Sequence, residues 1–167
     1  MSDTAAVQGF TFIELIVTVI LMLLLSGFVI AGYNGFNTSQ AVIQGAESLK
    51  SNLILARTEA ISGNIPSGED CDELVGYQID FISDTQYTSV ALCTVGGARV
   101  PVGGKATYTL PKTVHFSPVP SSIIFYVLGR GASQNSIITL QGITKSLSIS
   151  VSKSGNISDS PPAAPPP

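Results

Sequence analysis

Residues 9–30 read GFTFIELIVTVILMLLLSGFVI, and the fold of the whole chain turns on how that stretch is read. A carboxylate, Glu14, stands at the head of an uncharged apolar run from Leu15 to Ala31. At ~1.5 Å rise per residue, a helix over residues 11–31 spans ~30 Å, the hydrocarbon thickness of a bilayer. An acid in such a segment is expensive, by ~2.5–3.5 kcal/mol at mid-membrane and less near the interface. A plain anchor would do better without it, so Glu14 reads as functional. A first-turn carboxylate also suits the helix macrodipole, and a capping acid is the plain alternative.

An ordinary secretory signal fits the stretch less well. Such a signal has a basic n-region, an apolar core of ~7–15 residues and a small-residue cleavage site. Here the apolar run is longer, Glu14 interrupts its head, and no Lys or Arg precedes Lys50. Flanking charge therefore does not set an orientation.

The 167 residues suffice for one domain plus an appendage. Charged residues make up 11%, well below the ~25% of an average soluble domain, which argues against a cytosolic enzyme. Formal net charge is −3, and the eight basic residues are scattered singly from Lys50 onward. With no basic run or stripe, bulk electrostatics call for neither nucleic acid nor an acidic membrane face. Two cysteines outside any CxxC pair and one histidine do not make a structural zinc site.

Beyond the apolar run, Val42, Ala46, Leu49, Leu53, Ala56 and Ala60 step by helical intervals and mark one narrow apolar stripe. Gln44, Glu47, Ser48, Ser51 and Glu59 lie mainly off it. The pattern predicts one long helix over about residues 11–62, loosened around 32–37, where glycines cost ~1 kcal/mol each. Ser62-Gly63-Asn64 and then Pro66 supply the stop. From Gly76 the period changes to two, giving strands over residues 76–81 and 87–94. Val95-Gly96-Gly97 and Val102-Gly103-Gly104 both read as hairpin turns. Short strands follow at 105–110, 113–116 and 136–140. SIIFYVL at 122–128 reads as a central strand covered on both faces. Leu147, Ile149 and Val151 alternate with serines, predicting one buried face and one hydroxyl face. From Ser158 the sequence SDSPPAAPPP reads as an extended, disordered tail.

Gly9-Phe10-Thr11-Phe12-Ile13-Glu14 with its apolar run resembles the class III signal of type IV pilins and type II secretion pseudopilins. The domain half is similar to the GspH/FimT group of minor pilins and pseudopilins. The carriers are LILARTEAISGNIP at 53–66, residues 114–117 with FYVLGRGA at 125–132, and the closing strand at 148–157. The resemblance implies a prepilin peptidase cut between Gly9 and Phe10, methylation of the Phe10 amine, and Glu14 as the assembly carboxylate. It implies an α+β pilin fold, with a long N-terminal helix, transmembrane in its first half, packed on a C-terminal antiparallel β-sheet domain. The segments are a leader at 1–9, an assembly half at 10–36, a domain at 37–157 outside the inner membrane, and a tail at 158–167. Implied partners are the peptidase, other pilin or pseudopilin subunits, the inner-membrane assembly platform, and lipid before assembly.

With the domain outside the membrane, a Cys71–Cys93 disulfide is the natural pairing. The acidic loop SGEDCDE at 67–73 invites a calcium reading, since some pseudopilins bind calcium, but it lacks the EF-hand pattern and reads as a solvated loop. Nothing points to an enzyme or to a cofactor. His115 alternates with Val114 and Phe116 and falls on the exposed face, while Asp80 and Asp84 make no acid–base pair by spacing. Some FimT-like minor pilins bind DNA, and Arg130, with Lys112, Lys145 and Lys153, is the alternative site that this implies. Isolated basic residues are ordinarily just solvated, so nucleic acid is the secondary reading. A single-pass anchored domain unrelated to filaments needs neither a cut at Gly9 nor Glu14.

Overall fold

The computed structural model of the chain describes residues 11–67 and 70–160, with side chains throughout except at 26–35. Gly9, Phe10, part of the acidic loop (Gly68, Glu69) and residues 161–167 of the proline-rich tail lie outside that description. The chain divides into two compact units, residues 1–37 and 38–167.

The architecture is α+β. Helix α1 (Phe12–Ser62) precedes strands β1 (Glu73–Phe81), β2 (Gln86–Val95), β3 (Ala98–Thr109), β4 (His115–Phe116) and β5 (Ile123–Tyr126). A 3-10 turn at Val127–Gly129 leads to β6 (Ser136–Gln141), β7 (Ser146–Val151) and β8 (Ile157–Ser160). The strands form two antiparallel four-stranded sheets, ordered β3-β2-β1-β5 and β4-β6-β7-β8.

In the first unit, every large apolar residue of α1 whose side chain is described is exposed, from 37% at Ile16 to 80% at Phe12. Among the described residues no helix is long and apolar enough to cross a membrane. The apolar stretch with described side chains ends at Leu25, short of the ~20 residues that a span requires. The assignment of α1 is helical through 32–37, where the glycines predicted loosening.

In the second unit the expected stripe is the core. Val42, Leu49, Leu53, Ala56 and Ala60 are at most 1% exposed, and Ala46 is 8%. They pack in one cluster with Ile79, Tyr87, Ile123 and Phe125 of the first sheet and Phe116, Ile138, Leu140, Ile149 and Val151 of the second. A fully buried Leu, Ile or Phe contributes roughly 1.5–3 kcal/mol relative to exposure, so this stripe is what joins both sheets. The helix stops as its sequence predicts. Gly63 takes φ 67°, its N–H bonds the Ala60 carbonyl at 3.3 Å, and the Asn64 N–H bonds that of Glu59 at 3.2 Å. Those are the two bonds of a Schellman cap.

Four readings of the strands are corrected. Gly96 and Gly97, both at positive φ, do make the two-residue β2–β3 turn. Gly103-Gly104 instead lies inside β3, where the register jumps from Ser89↔Ala106 to Ala91↔Val102. The chain bulges there because β2 offers a partner on both sides of the pair, so no reversal is needed. Residues 122–128 are not a central strand: β5 has four residues and ends the order of the first sheet. Its outer edge is covered by a short crossing segment, with Tyr126 N–H on the Gly131 carbonyl at 2.9 Å and Ser133 N–H on that of Ile124 at 2.8 Å. On β7, Ser148 is buried rather than on a solvated face, sharing a hydrogen bond with the Thr139 hydroxyl at 3.1 Å. The tail begins later than expected, since Ser158–Ser160 pair with β7 and Asp159 meets Lys50 at 2.8 Å.

Leu53→Ala should lower stability by about 2–5 kcal/mol, the range for a buried leucine that leaves a cavity. Leu55→Ala, half-exposed two residues away, should stay within ~0.5 kcal/mol. Denaturant unfolding of the two variants checks the assignment of the helix face, and equal losses would contradict it.

Candidate functional site

The head of α1 closes on itself. Thr11 is the N-cap: its hydroxyl accepts the Glu14 N–H at 3.4 Å. Glu14 reaches back, and its Oε2 accepts the Thr11 N–H at 2.9 Å and the Thr11 hydroxyl at 2.8 Å. This is a capping box, in which N-cap and N3 side chains each satisfy a backbone donor that the first helical turn leaves free. The carboxylate is thereby held at the N-terminal end of the helix, where the macrodipole favours negative charge. The T-x-x-E spacing of Thr11 and Glu14 was readable in the sequence; Thr11 is the partner that the reading of Glu14 alone missed.

A second constellation lies where the two sheets meet. Beyond β5, Leu128 takes φ 57° and is 81% exposed, and Gly129 and Gly131 also take positive φ. Arg130 between them is exposed, its Nε 3.4 Å from the Val127 carbonyl. The Ala132 N–H bonds the Lys153 carbonyl at 2.9 Å, tying this loop to the β7–β8 turn. A Cβ on Gly131 would lie within 2.2 Å of that carbonyl, and one on Gly155 within 3.3 Å of Gly131 Cα, so both positions need glycine. Arg57 of α1 brings its Nε to 3.6 Å from the Gly155 Cβ position. With Gly129, Gly131 and Ser154 it lines a crevice of about 20 Å³.

The fold thus gathers Arg130 and Lys153 into one corner and adds Arg57, half-buried on α1. Lys112, before β4, and Lys145, between β6 and β7, belong to other loops. Arg57 carried no signal of its own in the sequence, because its neighbours in the corner are distant along the chain. His115 is exposed between buried Val114 and Phe116. Asp80 accepts a hydrogen bond from Gln78 Nε2 at 2.6 Å.

The third feature is the Cys71–Cys93 disulfide, with Cα atoms 5.4 Å apart. It pins the acidic loop to β2 beside two further ties: Asp72 N–H on the Thr94 carbonyl at 3.0 Å, and Gly96 N–H on Asp72 Oδ2 at 2.9 Å. Asp72 is therefore a clasp of the β2–β3 turn. Among the described residues no group of His, Cys, Asp or Glu is placed to hold a metal ion.

Compared with protein-family models, curated proteins and solved structures, the chain matches none.

Reduction of the disulfide should cost about 3 kcal/mol, the chain-entropy value for a loop of ~20 residues. Unfolding with and without dithiothreitol measures it. An unchanged midpoint would mean that the hydrogen bonds of Asp72 hold the loop alone.

Proposed function

We propose that the chain is a GspH/FimT-like minor subunit of a type IV pilus or type II secretion filament. The observation that carries this is the GFTFIE signal, whose carboxylate closes the head of α1, where the apolar side chains over residues 12–25 are exposed. An exposed apolar helix needs lipid or other helices around it. In this reading residues 1–9 are removed by a prepilin peptidase, Phe10 is methylated, and the segment 10–36 holds the subunit in the inner membrane. The domain stands outside, until an assembly platform lifts the subunit into the filament.

The capping box gives Glu14 two separable roles. Its hydrogen bonds stabilise the first turn, which any acceptor at N3 can do. Its charge pairs with the amine of Phe10, either its own or that of a neighbouring subunit. Two opposite charges near a bilayer edge are each costly, and pairing offsets part of that cost. A neighbour's amine would reward one axial register of the filament over others.

Glu14→Gln separates these roles, since glutamine keeps the box and loses the charge. Mature protein should begin at methylated Phe10 by mass spectrometry, in the wild type and in the variant alike. The variant should insert into membranes normally and be depleted from filaments. Normal incorporation of Glu14→Gln would reduce Glu14 to a cap, and an N-terminus other than Phe10 would remove the pilin reading itself.

A DNA-binding reading is favoured by one observation, the convergence of Arg57 on the loops of Arg130 and Lys153. Phosphate contacts respond steeply to salt, with a slope of about −0.9 per phosphate on duplex DNA. At the chain's pI of ≈ 4.9 the expected result is weak or absent binding by the full chain. Salt-sensitive binding that is lost in Arg57→Ala and in Arg130→Ala would promote this reading above a purely structural role.

A further inference from the structure

An open cleft of about 450 Å³ lies between α1 and the paired ends of β2 and β3, within the size range of small-ligand sites. On the sheet side its lining is Tyr108, Thr109 and the edge of Tyr87, which is 2% exposed. The half-buried Tyr108 ring stacks on Tyr87 with centroids 5.2 Å apart and planes at 24°. On the helix side its lining is polar, with Glu47, Ser48 and Ser51 exposed and Asn52 half-buried.

Asn52 and Tyr87 contact each other in that lining, Asn52 Nδ2 donating to the phenol oxygen at 2.8 Å. This arrangement leaves the phenol proton without an acceptor among the described residues. Turning the amide over would engage the phenol proton and free both amide protons instead. Either way the pair keeps an unused donor beside the cleft. Burial pushes the Tyr87 hydroxyl above its ordinary value of 10.0, against a smaller opposing effect of the Asn52 hydrogen bond, so it remains a neutral donor at physiological pH.

These groups disfavour several ligand classes. Glu47 is the one charged group in the lining, so a phosphate or carboxylate would meet repulsion and no cation. A single carboxylate does not make a metal site. An apolar ligand would strip water from the serine hydroxyls and the amide without replacing its hydrogen bonds. A neutral polyol satisfies all of them, because it offers a C–H face to an aromatic ring and hydroxyls that both donate and accept. We propose that this cleft binds a neutral saccharide residue, its C–H face on Tyr108 and its hydroxyls on Glu47, Ser51 and the Asn52–Tyr87 pair.

The test uses the full chain in a sugar-free detergent, lauryl dimethylamine oxide, so that no glucoside headgroup competes. Maltotriose, cellotriose and triacetylchitotriose are titrated in turn, and binding is followed by saturation-transfer NMR and tyrosine fluorescence. At least one should bind saturably with a Kd in the millimolar range, as befits an open cleft. Tyr108→Ala should weaken it about tenfold or more, the loss of an aromatic anchor. Ser51→Tyr, which fills the cleft from an exposed helix position, should do the same while leaving the Tyr87–Tyr108 stack in place. If Tyr108→Ala does not fold, Ser51→Tyr decides alone. The proposal is overturned if none of the three sugars binds saturably, or if binding survives Ser51→Tyr.

Discussion

The structure depends on one narrow apolar stripe. Six residues of α1, from Val42 to Ala60, are buried against side chains from both sheets. Neither sheet is self-sufficient: a four-stranded antiparallel sheet with one apolar face needs a partner to cover it. Here one helix serves two sheets: three of its six stripe positions are alanine, and Leu49 and Leu53 are fully buried in the cluster that both sheets share. The same economy shows at Gly142, where a Cβ would fall 2.3 Å from a methyl of Val42.

The two compact units place the same helical backbone in different surroundings. In the second unit α1 has a buried apolar face, and its exposed side mixes polar residues with Ile54, Leu55 and Ile61. In the first, its described large apolar side chains are all exposed, and at the head Thr11 and Glu14 hydrogen-bond to each other. The capping box satisfies the first turn internally, with Thr11 and Glu14 bonding each other's backbone N–H. The carboxylate is held toward the helix N-terminus by Thr11 itself.

Away from the core, two devices fix loops that the stripe does not reach. The disulfide and Asp72 hold the start of β1 against the β2–β3 turn. Gly131 and Gly155 let the loop after β5 and the turn after β7 touch backbone to backbone, which ties the first sheet to the second through Ala132 and Lys153. Those contacts also place Arg57 beside the two loops. The basic corner is thus a by-product of close packing at two glycines, whatever use is made of it.

Local pattern alone determined much of this protein. Helical intervals marked the buried stripe residue by residue, Gly63 and Asn64 marked its end, and period two marked β1, β2 and β7, because each of these signals is written in neighbouring residues. The disulfide pairing followed from a resemblance that put the domain in an oxidising place, and it formed as expected. What failed were readings that depend on distant partners. Gly103-Gly104 has the chemistry of a turn, but β2 continues opposite it and makes it a bulge. SIIFYVL has the composition of a central strand, yet Leu128 leaves the strand at positive φ and a crossing segment covers its edge. Ser158–Ser160 look like the start of a tail until β7 offers them hydrogen bonds. Arg57, Arg130 and Lys153 are far apart in the chain, and so are Asn52, Tyr87 and Tyr108. Only the tertiary structure could bring either set together, since a sequence records what each residue can do next to its neighbours and not which segment will arrive beside it.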